Sequence, residues 1–168
     1  IYGHKEAKFL VSIVACISLG LPYIPVDTIY PKERLHKIIN IVNSALLINT
    51  IDDTLDFNKE NINTTYYLDD PIIHIIFTSG STGEPKGVQI TQNSILDFNK
   101  WLDTDFKFSN DSVFMNQAPF SFDLSVYELI GFLSFGGTIV LNSRELLENH
   151  IEFFERLKKY SCNTWVST

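Results

Sequence analysis

The sequence predicts an α/β fold in which helices flank a mostly parallel sheet, and three observations point to it. Short apolar, β-branched stretches alternate with longer stretches of helical periodicity through the 168 residues, the order expected of strands joined by crossover helices. Ile72 to Phe77 is apolar almost without a break, as in a strand covered on both faces. An apolar fraction of 45% against 20% charged residues is that of a globular chain long enough to bury a core.

The elements follow in order. Ile1-Tyr2-Gly3 reads as the tail of a strand. Lys5 to Leu19 is helical, with Gly20 as its stop and Pro22 preventing continuation. Pro31 suits the first position of a second helix, where a missing N–H costs nothing, and Leu35, Ile38, Ile39 and Val42 give that helix one apolar stripe. Ala45 to Ile48 is a strand. Asn49 to Asp70, rich in Asn, Asp and Thr, reads as a long surface loop with an extended piece at Tyr66 to Leu68. After the strand at 72–77 come a Gly/Ser/Thr loop, a short strand at Val88 to Ile90, a helix from Gln92 to Leu102 and a strand at Val113 to Asn116. Ser125 and Glu128 have the spacing of a capping box, opening a helix that Gly136-Gly137 ends. Thr138 to Leu141 is a strand. Glu145 to Tyr160 is one amphipathic helix with Leu147, Ile151, Phe154 and Leu157 on one side, and Thr164 to Ser167 is a last strand. Both ends read as cut, so residues 1–168 are expected to form one partial domain, truncated at each end.

Charge excludes some partners. With 13 Lys and Arg against 20 Asp and Glu, the net charge is -7. No nucleic-acid partner is expected, because neutralising phosphates needs clustered cations. The apolar run from Phe9 to Val26 is broken by Gly20-Leu21-Pro22, so it predicts a buried helix and turn without membrane insertion. Cys16 and Cys162 have no metal-ligand spacing and read as two small buried thiols of a reducing cytoplasm. No metal ligand is predicted within the chain.

Chemistry is concentrated in Thr78-Ser79-Gly80-Ser81-Thr82-Gly83-Glu84-Pro85-Lys86-Gly87. Its glycines let backbone N–H groups approach an anion. The hydroxyls of Thr78, Ser79, Ser81 and Thr82 add donors, and Lys86 adds a point charge suited to phosphate. A Walker A loop is excluded: counted from Gly80, its second glycine and its final hydroxyl fall on Pro85 and Gly87. A flexible Gly/Ser linker would not normally follow a buried strand. The ten residues resemble the phosphate-binding motif of the adenylate-forming superfamily, and the match is complete. That resemblance implies that the chain is part of the superfamily's large N-terminal domain. It implies ATP as cosubstrate with Mg2+, whose ligands fall mostly outside this chain. It gives Thr78, Ser79, Gly80, Ser81, Thr82, Gly83 and Lys86 as ATP-phosphate-binding residues, with Lys86 also catalytic.

Two further segments extend the likeness. Gly20-Leu21-Pro22-Tyr23-Ile24-Pro25-Val26-Asp27 resembles a structural motif of amino-acid adenylation domains and carries no catalytic role. In Phe122-Asp123-Leu124-Ser125, the resemblance makes Asp123 the residue that pairs with a substrate ammonium, and the competing reading is a helix N-terminal residue favoured by the macrodipole. An aspartate facing an ammonium would reject carboxylic acids that lack the amine. Asn116-Gln117-Ala118-Pro119-Phe120-Ser121 with Phe122 to Val126, Tyr2-Gly3-His4, Pro25 to Thr28, Lys86 to Ile90 and Trp165 to Thr168 are similar to segments of D-alanine–D-alanyl carrier protein ligases. Those enzymes load D-alanine from ATP onto a carrier protein's phosphopantetheine thiol for teichoic acid D-alanylation. Tyr127-Glu128-Leu129 and Tyr30-Pro31-Lys32-Glu33-Arg34-Leu35 resemble peptide-synthetase adenylation domains at least as well. An adenylation domain for another small amino acid therefore stays open, as does a phosphate-binding module without catalysis. Because the family's adenine, ribose and C-terminal lysine contacts lie downstream, the chain alone is expected to be inactive.

Overall fold

Helix boundaries follow local chemistry closely. In the computed structural model, which describes residues 1–58, 69–79 and 84–167, α1 (Ala7–Ser18) buries Phe9 and Ile13. Its end is a Schellman turn: Gly20 N bonds Ile17 O and Leu21 N bonds Cys16 O, with Gly20 at φ 66°, a conformation open to glycine without strain. The second helix, α2 (Lys32–Val42), buries Leu35 and Ile38, and Asn43 in the left-handed region ends it. Pro31 takes the N-cap position, one residue earlier than the sequence suggests.

The described chain divides into two units, Ile1–Gln92 and Asn93–Thr168. In the first, β1 (Tyr2–Gly3) is flanked by parallel β2 (Val26–Asp27) and β3 (Leu46–Asn49). An antiparallel strand, β4 (Thr54–Phe57), lies beyond β3. His4 Nδ1 lies 2.6 Å from Asp27 Oδ2, and Asp27 Oδ1 accepts from Ile29 N, which locks the segment after β2 to the end of β1. β5 (Ile72–Ser79) and β6 (Pro85–Thr91) form an antiparallel pair. Tyr23 joins that pair through Tyr23 N to Ile73 O and Ile75 N to Tyr23 O. Val26, Leu35, Ile38 and Phe77 form the core of this unit, so α2 packs against both the sheet and β5.

In the second unit, α3 (Gln92–Phe106) precedes a parallel sheet of order β8-β7-β9, from β7 (Val113–Met115), β8 (Thr138–Val140) and β9 (Thr164–Trp165). Side chains alternate along β7. Met115 packs with Val140 and Phe153, while Phe114 meets Phe108 and lies where a Cβ on Gly131 would come within 2.6 Å of its ring. Gly131 belongs to α4 (Ser125–Phe135), which ends at Gly136 in the left-handed region. The structure is thus mixed α/β, with parallel pairs at β1–β2, β1–β3, β7–β8 and β7–β9.

Four expectations need correction. The stretch from Asn49 contains β4, all four of whose residues are exposed, so no burial pattern marked it; Tyr66 to Leu68 lie outside the described residues. The helix expected at 145–160 is two, α5 (Arg144–Glu148) and α6 (His150–Lys159), because Asn149 accepts from Glu152 N and restarts the helix. That break rotates the buried face onto Phe153, leaving Ile151 77% and Phe154 51% exposed. Ser125 and Glu128 form no capping box: the N-cap is Leu124, with no side-chain bond. Cys16 and Cys162 are free but only half-buried, and burial raises both thiols' pKa. No described helix is long and apolar enough to cross a membrane.

His74 on β5 is buried against Tyr23, with ring centroids 5.4 Å apart, and neither ring nitrogen has a hydrogen-bond partner among the described residues. Burial lowers its pKa from 6.5 to about 4. Between those values the unfolded chain binds a proton that the folded chain refuses, so stability falls as pH drops through the window, by about 3 kcal/mol in total. Urea unfolding as a function of pH should show this slope, and His74→Phe, which keeps the stacking, should flatten it.

Candidate functional site

The first candidate site is the end of the β5–β6 hairpin next to its connecting segment. Thr78 pairs with Lys86 and Ser79 with Pro85. Directly opposed residues of an antiparallel pair project to the same face, so the Thr78 hydroxyl and the Lys86 ammonium share one. Thr78, Ser79 and Lys86 are all exposed. Gly80, Ser81, Thr82 and Gly83 lie outside the described residues.

Helix α2 fixes the strands beneath. Arg34 Nη2 donates to Phe77 O at 3.2 Å, while its guanidinium stacks over Tyr30 at 4.4 Å. Lys37 Nζ lies 2.7 Å from Glu84 Oε1, an exposed pair worth little by itself. Phe77 is buried in the core one residue before Thr78. The hairpin therefore presents two hydroxyls and one cation from a firmly held base, a donor set that fits a phosphate group.

The second candidate, Asp123, belongs to the other unit, two residues ahead of α4. It is exposed, and its carboxylate has no hydrogen-bond partner among the described residues. Its carbonyl accepts from Val126 N at 3.0 Å, and Ser125 Oγ donates to Phe122 O at 2.7 Å. These bonds fold residues 122–126 into a tight turn entering α4. The macrodipole position is thus compatible with Asp123, but no capping bond occupies its carboxylate.

Beneath this turn runs a buried polar chain. Glu128, Asn116 and Asn142 are each 0% exposed. Glu128 Oε2 accepts from Asn116 Nδ2 at 2.5 Å and Oε1 accepts from Gln117 N at 3.4 Å. Asn116 Nδ2 also donates to Ala118 O. Asn142 Nδ2 donates to Asn116 O at 2.9 Å and Val140 O at 3.1 Å. Arg156 Nε then donates to Asn142 Oδ1, and its Nη2 to Leu141 O. Gln117 Oε1 accepts from Trp165 Nε1 at 2.7 Å. Burial, and then the negative charge of Glu128, raise the Tyr127 pKa.

Sequence reasoning missed Arg34 and Lys37 as hairpin anchors and Glu128 as an inward-facing group. Arg34 and Lys37 lie on α2, whose apolar stripe alone drew attention. For Glu128 the available signal was position: it stands between Tyr127 and the apolar Leu129-Ile130, on the core side of α4.

Comparison with known proteins extends the likeness over the whole chain. The profile of the family described as AMP-binding enzyme matches residues 1–168. The D-alanine--D-alanyl carrier protein ligase of Bacillus licheniformis is 37% identical over 185 aligned residues, and that of Staphylococcus aureus strain Newman 37% over 182. Both alignments take in all of this chain, which spans 37% and 38% of the respective relatives' lengths. A crystal structure of a four-domain nonribosomal peptide synthetase bound to AMP and glycine superposes with a TM-score of 0.77 at 22% identity, covering 98% of this chain and 13% of that one. This last likeness is one of fold.

The polar chain should dominate local stability. Asn142→Ala removes the bonds from Asn142 to Asn116 O and Val140 O and the one it accepts from Arg156 Nε, an expected loss of about 2–3 kcal/mol. Asn149→Ala removes only the exposed cap of α6, at about 1 kcal/mol. Urea denaturation of the two variants should rank them in that order.

Proposed function

Because this chain belongs to the AMP-binding enzyme family, an AMP-forming ligase family, we propose that the full-length protein activates D-alanine as D-alanyl-AMP and passes it to a carrier protein's phosphopantetheine thiol. This ligase reaction would run in the cytoplasm and supply D-alanine for teichoic acid D-alanylation. The 37% identity to the ligases over all of this segment supports the substrate. The observation that carries the chemistry is Lys86 opposite Thr78 at the connected end of an anchored hairpin.

In this reading Lys86 holds its ammonium against the ATP phosphates, the Thr78 hydroxyl donates from the same face, and Ser79 contributes its hydroxyl as the motif implies. By resemblance, Gly80, Ser81, Thr82 and Gly83 also bind the ATP phosphates. ATP supplies the adenylyl group, with Mg2+ offsetting charge that one lysine leaves unbalanced. Asp123, whose carboxylate no described residue engages, receives the substrate ammonium. Fixed donors need no reorganisation when charge shifts, which is where their rate effect arises.

A second reading is a peptide-synthetase adenylation domain for another small amino acid, favoured by Tyr127-Glu128-Leu129. Pyrophosphate exchange into ATP by the full-length protein, run with D-alanine, L-alanine, glycine and serine, separates the two. D-alanine should be preferred; preference for another amino acid selects the second reading, and no exchange with any rejects both.

Lys86→Ala should slow exchange by about ten- to a hundredfold at saturating ATP, the loss of one charged hydrogen bond worth about 1.5–3 kcal/mol in the transition state. An unchanged rate removes Lys86 from the mechanism. Asp123→Ala should raise the alanine KM or abolish activity while the ATP KM stays within a few-fold. Propionate, which lacks the amine, should lose less than alanine on that substitution. Equal losses would make Asp123 a structural residue of the turn.

A further inference from the structure

Asp123 stands at the apex of a loop whose neck is closed by one buried carboxylate. Glu128 receives Asn116 Nδ2 and Gln117 N, joining the residues just after β7 to the first turns of α4, twelve positions along the chain. Between them, Ala118, Phe120 and Ser121 are buried, Phe122 N donates to Pro119 O, and the backbone turns outward at the exposed Phe122 and Asp123. Among the described residues no hydrogen bond holds the Asp123 side chain. The local turn holds its backbone, and the neck restrains where that turn sits, as the ends of a closed loop restrict its middle.

The neck is itself braced. Asn142 holds the Asn116 carbonyl, and Arg156 holds Asn142. A buried carboxylate among amide donors is sensitive to polarity, because a partly satisfied network is worse than an apolar one. Both partners are N–H donors, so the NH2 of an isosteric amide at position 128 faces one of them donor to donor. The bond to Asn116 Nδ2 or the bond to Gln117 N is then lost with no change of volume.

We infer that Glu128 is the positioning residue of the amino-acid site, acting through Asp123 to set selection for the substrate amine. This rests on the assignment of Asp123 to the ammonium. Glu128 touches no substrate; it fixes the loop that does.

A double-mutant cycle in the full-length protein tests it, with steady-state pyrophosphate exchange on alanine and on propionate. Glu128→Gln should raise the alanine KM about tenfold and leave the ATP KM within about twofold, with propionate unaffected. In the Asp123→Ala background, Glu128→Gln should add less than about twofold, since its effect passes through a residue already removed. A full additional loss in that background, or equal damage to alanine, propionate and ATP kinetics, overturns the positioning role and leaves Glu128 a core group only. If Asp123→Ala alone leaves the preference for alanine over propionate intact, the ammonium assignment fails and this role with it. Should Glu128→Gln not fold, Asn116→Ser opens the same neck from the other side and is expected to give the same kinetic split. Loss of folding in both overturns the proposal.

Discussion

The second unit is organised around polar groups that have no access to water. Asn142 spans the ends of β7 and β8 by donating to Asn116 O and Val140 O, and accepts from Arg156 on α6. Asn116 carries the connection on to Glu128 in α4. Each of these groups would be expensive to bury alone. Together they tie the sheet to the helices on either side of it, and this accounts for how a two-stranded crossover with short strands can hold a defined loop. Apolar packing of Met115, Val140 and Phe153 supplies bulk but no register; the amides and the carboxylate supply the register.

A comparable division of labour operates in the first unit. Val26, Leu35, Ile38 and Phe77 exclude water, while Arg34 ties α2 to the backbone of β5 at Phe77. The residue that follows, Thr78, is already exposed. Burial and exposure change over within one residue, so the hydroxyls and Lys86 are presented from a rigid base. Rigid presentation is what allows donors to act on charge that develops during a reaction.

Much of this was legible in the sequence, for identifiable reasons. Gly20 and Gly136 end their helices as read, because positive φ is a local demand that glycine meets in any context. The strand from Ile72 and the hydroxyl-rich segment after it stood out by composition. The antiparallel pairing that sets Lys86 opposite Thr78 is a long-range fact, and the sequence alone did not reveal it. β4 was read as loop because none of its residues is buried. Ser125 and Glu128 have the spacing of a capping box, yet the carboxylate turns inward because Asn116 and Gln117 offer donors, and those partners are distant in sequence. Asn149 likewise broke a helix whose apolar periodicity runs through it.

In the proposed reaction a carboxylate oxygen of the amino acid attacks the α-phosphorus of ATP. Running a full turnover of the full-length protein with D-alanine whose carboxylate carries heavy oxygen, with carrier protein as acceptor, and weighing the products tests this directly. If thiol attack on D-alanyl-AMP expels AMP together with one of those carboxylate oxygens, heavy label is expected in AMP and none in inorganic phosphate. Unlabelled AMP, or label appearing in inorganic phosphate through an acyl phosphate, would contradict it.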